Sequence, residues 1–126
     1  MISSADDLRS NLARVRARVE IACRHAGRDP AAVRLIAVTK ELPARVIRWS
    51  LECGLTEFGE NYVRELAAKR SSAPDAMWHY LGALQSHTAH RVADHADVVA
   101  EIDLNPVLVH EYGKGVSVVD ALIVRR

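Results

Sequence analysis

The stretch VRLIAVTK, Val33–Lys40, decides how the rest of the chain is read. From Val33 to Thr39 it is nearly all apolar and rich in β-branched side chains, and it follows the break at Asp29-Pro30. It is too short for a helix, so it is expected to be a strand buried on both faces, as in a parallel sheet covered by helices. Lys40 ends it. Pro43 then opens a helix carrying Val46, Ile47, Trp49, Ser50 and Leu51, and Gly54 closes that helix.

Working outward, the preceding segment has Ser4 as a cap and Leu8, Leu12, Val15, Val19 and Ala22 at spacings of three and four. That is one apolar stripe of an amphipathic helix, with Asp6 and Asp7 in the first turn where the helix dipole favours them. Gly27 is expected to stop it. Downstream the strand-helix unit repeats. Thr56–Gly59 reads as a strand, Glu60–Arg70 as a helix, and Ser71–Asp75 as a polar loop. Trp78–Gly82 is the third strand, Gln85–Asp94 a helix and Asp97–Ile102 the fourth strand. This alternation argues for an α/β fold of parallel βαβ units. Four strands fit either the N-terminal half of a (β/α)8 barrel or a small open sheet, and periodicity leaves both open. After Asn105 the pattern changes: Val107–Val109 and Val116–Val124 are β-like runs around a loop with Gly113 and Gly115, which reads as an antiparallel hairpin.

Composition sets the outer bounds. At 126 residues the chain is one domain, and a complete (β/α)8 barrel needs about 250, so a barrel reading concerns part of one. Arg and Lys are interleaved with Asp and Glu at a net charge of +1, which gives no electrostatic footprint for nucleic acid. Cys23 and Cys53 lie on apolar helical faces, are not a CxxC pair, and are read as free thiols of a reducing compartment. A long uncharged apolar run and a basic leader followed by an apolar core are both missing, so no membrane association is expected and the cytoplasm is the expected location.

Ligands of parallel α/β folds bind at the carboxyl ends of strands. Three such ends carry polar, reactive side chains: Lys40, Glu60-Asn61 and His79. Each has a plain structural alternative. A lysine there can snorkel out of the core rim, an asparagine can cap a helix, and a strand histidine can be a hydrogen-bonded core residue. A lysine at an apolar strand end would be partly desolvated, and its neutral amine could then attack an aldehyde. His87, His90 and His95 fall on or beside one helical segment without an HExxH signature, and no metal site is expected there.

Three motifs follow one another in order: LIAVTK ending at Lys40, FGENYVRE at Phe58–Glu65, and WHYLGALQS at Trp78–Ser86. Together they resemble the first three strand motifs of the pyridoxal-phosphate homeostasis proteins, whose barrel is that of the alanine racemase N-terminal domain. The likeness covers residues 5 to 103. The resemblance implies that Lys40 carries pyridoxal 5'-phosphate as a Schiff base, that Asn61 and His79 line the cofactor pocket, and that Tyr62 neighbours it. It also implies a cytosolic carrier or buffer of the cofactor without established turnover. Racemase activity is disfavoured, because related racemases take a second base from a further domain.

The departures are as informative. In the family, later strands supply the serine, arginine and backbone amides that hold the phosphate, and LQSHT at Leu84–Thr88 departs from the usual residues after the serine. The tail EIDLNPVLVHEYGKGVSVVDALIVRR resembles instead the closing hairpin of ADP-forming ATP-grasp acyl-CoA synthetases, where Asn105 and Asp120 would match magnesium ligands. Two isolated ligands would not hold the ion. The expected organisation is thus a partial cofactor-binding barrel over 1–103 and a hairpin of different origin over 104–126, a fusion or a truncation. The competing reading is a degenerate half-barrel that binds no cofactor and serves as an oligomerising or interaction module. A second copy could then complete the open barrel.

Overall fold

A computed structural model describes residues 2–99 of the chain in full, together with the backbone of four strands beyond them. The first element, α1 (Ala5–Ala26), begins where Ser4 accepts a hydrogen bond from the Asp7 amide. It ends where Gly27 turns left-handed at φ 63° and Arg28 donates to the Cys23 carbonyl at 2.9 Å. Leu8, Leu12 and Cys23 are buried, but Val15 is 40% exposed. Of the expected stripe, Leu8 and Leu12 are buried, Val19 is half-buried and Ala22 is exposed, so it packs closely at its N-terminal end only. Asp29 caps a short 3-10 turn, Pro30–Ala32, by accepting from the Ala31 amide at 2.9 Å.

Then follow β1 (Ala37–Val38), α2 (Ala44–Glu52), β2 (Glu57–Glu60), α3 (Val63–Arg70), β3 (Met77–Tyr80), α4 (Ala89–His95) and β4 (Val98–Val99). The four strands form one parallel sheet in chain order. Register places Ala37, Phe58 and Trp78 side by side on one face, and Val38, Gly59, His79 and Val98 on the other. The first face is the core. Phe58 and Trp78 are fully buried with ring centroids 5.2 Å apart, and Ile47 of α2, Leu66 of α3 and Val92 of α4 close over them. The Trp78 indole donates to the Ala73 carbonyl at 3.0 Å, so its polar edge is satisfied inside the core.

Several expectations are corrected here. The strand read over Val33–Thr39 is strand only at Ala37–Val38 and is not buried on both faces, since Ile36 and Val38 are 36% and 48% exposed. Among the described residues it pairs with β2 alone. Glu60 belongs to β2 and not to the following helix, whose N-cap position is Tyr62, without a side-chain cap. The helix expected from Gln85 starts at Ala89. The fourth expected strand divides: Val98–Val99 is parallel to β3, whereas β5 (Glu101–Leu104) pairs antiparallel with β8 (Ala121–Val124). β6 (Val107–Val109) pairs antiparallel with β7 (Val116–Val118). Asn105 and Asp120 lie outside the described residues.

Candidate functional site

The carboxyl end of β1 is a tight turn with Lys40 at its second position. The Leu42 amide donates to the Thr39 carbonyl at 3.1 Å, and Glu41, third in the turn, has φ 61°. A positive φ at that position marks a type II turn, normally given to glycine or asparagine. A residue with a Cβ is held there by its surroundings. Lys40 itself is exposed, and its amine makes no hydrogen bond or ion pair among the described residues. The desolvated amine expected from sequence is thus not supplied by these residues.

Beneath this turn lies a buried ion cluster. The Lys69 ammonium, on α3, donates to the Thr39 carbonyl at 2.6 Å, to Glu60 Oε1 at 2.8 Å and to Glu65 Oε2 at 2.7 Å. These three acceptors use all three of its N–H donors. Thr39 Oγ1 donates to the same Glu60 oxygen at 2.6 Å, and the Glu41 amide donates to Glu65 Oε2 at 2.8 Å. Lys69 and Glu60 are 6% and 0% exposed, and Glu60 Oε2 has no hydrogen-bond partner among the described residues. Burial raises the Glu60 pKa above the ordinary carboxylate value, and the hydrogen bonds from Lys69 and Thr39 offset only part of that effect. Glu65 moves the other way, held below its ordinary value chiefly by its hydrogen bond from Lys69.

Lys40 follows the carboxyl end of β1 and Asn61 that of β2, and the two strands are neighbours in parallel register, so both residues lie at the same end of the sheet. The Asn61 amide and the Tyr62 hydroxyl make no side-chain hydrogen bond among the described residues, and Tyr62 is 53% exposed. Asn61 is therefore not spent on capping α3. Its main chain lies hard against Gly82, where a Cβ would stand 2.1 Å from the Asn61 carbonyl oxygen. The loops after β2 and β3 consequently meet at this rim. His79 is on the same face but level with Gly59, two residues below Asn61.

His79 is engaged from the other direction. Its Nε2 is 2.8 Å from Glu57 Oε2, while Arg34 grips the Glu57 carboxylate with two hydrogen bonds of 3.0 and 2.6 Å. The Arg34 guanidinium, with a smaller contribution from His79, holds Glu57 below the ordinary carboxylate range. Glu57 is then ionised and accepts only, so His79 Nε2 carries the proton. Arg34 and Glu57 escaped the sequence reading. They lie 23 residues apart, and Arg34 reaches Glu57 from the segment that leads into β1. Lys69 escaped it as well, although its spacing of four from Glu65 is a visible helix pair.

A cavity of about 730 Å³ opens at the opposite, amino-terminal end of the sheet, between α1, the 3-10 turn and the residues leading into β1 and β2. Neither Lys40, Asn61 nor His79 lines it. Among the described residues no cluster of metal-ligating side chains is present, and no helix is long and apolar enough to cross a membrane.

No family model matches the chain. It is 41% identical over 95 residues to the pyridoxal phosphate homeostasis protein of Pseudomonas aeruginosa, a match covering 74% of this chain and 41% of that protein. Among solved structures it resembles PipY of Synechococcus elongatus with pyridoxal phosphate bound, at 39% identity and a TM-score of 0.55, over 68% of this chain and 42% of PipY. A crystal structure of an unknown protein from Bifidobacterium adolescentis superposes with a TM-score of 0.72 at 26% identity, covering 82% of this chain and 48% of that one. The chain therefore spans less than half the length of these relatives. The matched three quarters of it is homologous to part of the pyridoxal phosphate homeostasis proteins.

Proposed function

We propose that this chain binds pyridoxal phosphate at the carboxyl rim of its parallel sheet, as a Schiff base on Lys40, and acts as a cofactor carrier without turnover. The observation that carries the reading is one exposed, unpartnered amine on a turn fixed on both sides, with Asn61 and Tyr62 uncommitted at the same end of the sheet. When bound, the cofactor supplies an aldehyde carbon and a conjugated ring, and the protein supplies its placement. Lys40 provides the amine. Asn61 offers both a donor and an acceptor at the same end of the sheet. His79, proton fixed on Nε2 by Glu57, offers a lone pair on Nδ1 whenever the imidazole is neutral. In this reading the sheet is part of a (β/α)8 barrel whose inner face bears Val38, Gly59 and His79. Retention of pyridoxal phosphate through equilibrium dialysis tests it. The wild type should keep close to one cofactor per chain and Lys40→Ala far less, whereas equal retention would refute the assignment.

A second reading draws on a different observation. Ile36, Val38 and Met77 are apolar yet between 36% and 48% exposed on the sheet face away from the helices. A second copy of the chain covering that face would complete a closed layer, and it would bury area at roughly 25 cal/mol per Å². Sedimentation analysis should then give a dimer that Val38→Asp dissociates. A monomer at high protein concentration would remove this reading and leave the first intact.

A further inference from the structure

We propose that Lys69 is a positioning residue for Lys40, acting with Glu60 and Glu65 to lock the turn that presents the Lys40 amine. The inference rests on the cofactor reading above and adds to it the device that aims the amine. Lys40 sits between two anchored peptide groups. The carbonyl before it, that of Thr39, accepts from both the Leu42 amide at 3.1 Å and the Lys69 ammonium at 2.6 Å. The amide after it, that of Glu41, donates to the Glu65 carboxylate at 2.8 Å, and Lys69 holds that carboxylate in turn. Lys69 is thus the only atom group linked to both flanks of Lys40 among the described residues.

The left-handed φ of 61° at Glu41 gives this lock something to oppose. A residue with a Cβ leaves that conformation readily unless hydrogen bonds keep it there. The cluster is also buried, so water does not replace a lost ammonium contact at the Thr39 carbonyl without opening the structure. A purely structural ion pair between α3 and β2 would need only the contact between Lys69 and Glu60. The two extra contacts, one to each side of Lys40, are what a positioning role requires and a structural role does not.

The test uses the full chain and the double variant Lys69→Met with Glu60→Gln. Removing both charges avoids an unpaired buried ion, and circular dichroism checks that the fold is kept. Glutamine retains an acceptor for Thr39 Oγ1, so the change falls on the turn. Two readouts are taken: amide hydrogen exchange of the segment from Lys40 to Leu42 without cofactor, and the ratio of pyridoxal phosphate label, trapped by borohydride, at Lys40 to that at Lys114, the two lysines present in both the wild type and the variant. Loss of one charge-assisted hydrogen bond should speed local exchange by roughly tenfold to a hundredfold. Label at Lys40 should fall by a similar factor relative to Lys114. Selective wild-type labelling that the variant keeps unchanged would overturn the inference and leave the cofactor reading standing. Wild-type label that never concentrates on Lys40 would overturn both, and the two failures are told apart by the wild-type sample alone.

Discussion

Lys69→Met should cost about 3–5 kcal/mol near neutral pH, because it leaves one partner of a buried ion pair uncompensated. The site supports the upper part of that range. The Lys69 side chain is 8% exposed, that of its partner Glu60 is 0% exposed, and Glu60 Oε2 already lacks a hydrogen bond among the described residues, so loss of Lys69 leaves only the Thr39 hydroxyl of those residues on the carboxylate. The protein has one escape, which is to protonate Glu60. That residue's folded pKa is already raised by burial and would rise further without the ammonium. A carboxyl with a folded pKa above its unfolded value binds more protons folded than unfolded. Stability then falls as pH climbs from the unfolded value, about 4.3, through the folded one. The penalty of Lys69→Met should therefore be small at pH 5 and grow toward pH 8. Urea unfolding at a series of pH values measures it, read as a shift in midpoint at constant slope. Adding Glu60→Gln should flatten the pH dependence and recover much of the loss. A penalty below about 1 kcal/mol that does not change with pH would refute the reasoning, since it would place the cluster in solvent.

Three further outcomes follow from the same geometry. Trp78→Ala, which empties a fully buried site and removes the indole hydrogen bond to the Ala73 carbonyl, should lower unfolding free energy by about 3–5 kcal/mol in urea titrations. Gly82→Ala should displace the Asn61 main chain, since the new Cβ would lie 2.1 Å from its carbonyl oxygen; a drop in pyridoxal phosphate retention with helical circular dichroism preserved is expected, and unchanged retention would detach Asn61 from the site. Asp97 accepts from the Trp78 amide at 2.8 Å and pairs with Arg70, which holds its pKa below the ordinary value. Its contribution is present above about pH 4 and is lost as pH falls through that lowered value, so Asp97→Asn should cost about 1 kcal/mol at pH 7 and progressively less in acid, read from thermal unfolding.

The sequence was most legible where one residue type dictates local geometry. Ser4 and Gly27 marked both ends of α1, and Pro43 marked the start of α2, because caps and prolines act through the backbone of their own turn. Lys40 was read as the end of the strand, but β1 stops at Val38 and Lys40 lies in the turn that follows. The run before it was over-read. Apolar residues report that a segment can be buried, not that full cover exists, and Ile36 and Val38 stay 36% and 48% exposed. The helix stripe failed similarly at Val15, where spacing was right and no partner packs closely. What could not be read were contacts fixed by register. Glu57 meets His79 because β2 pairs with β3 in one alignment, Arg34 reaches Glu57 from the segment that leads into β1, and Lys69 reaches Thr39 across 30 residues.

The central claim is that Lys40 is the residue that carries pyridoxal phosphate. Its most direct test is to incubate the purified chain with the cofactor, reduce with borohydride, and map the pyridoxyl group by mass spectrometry. The account expects a near-stoichiometric adduct confined to Lys40 and absent from Lys40→Ala. Scattered, substoichiometric label shared among Lys40, Lys69 and Lys114 would contradict it.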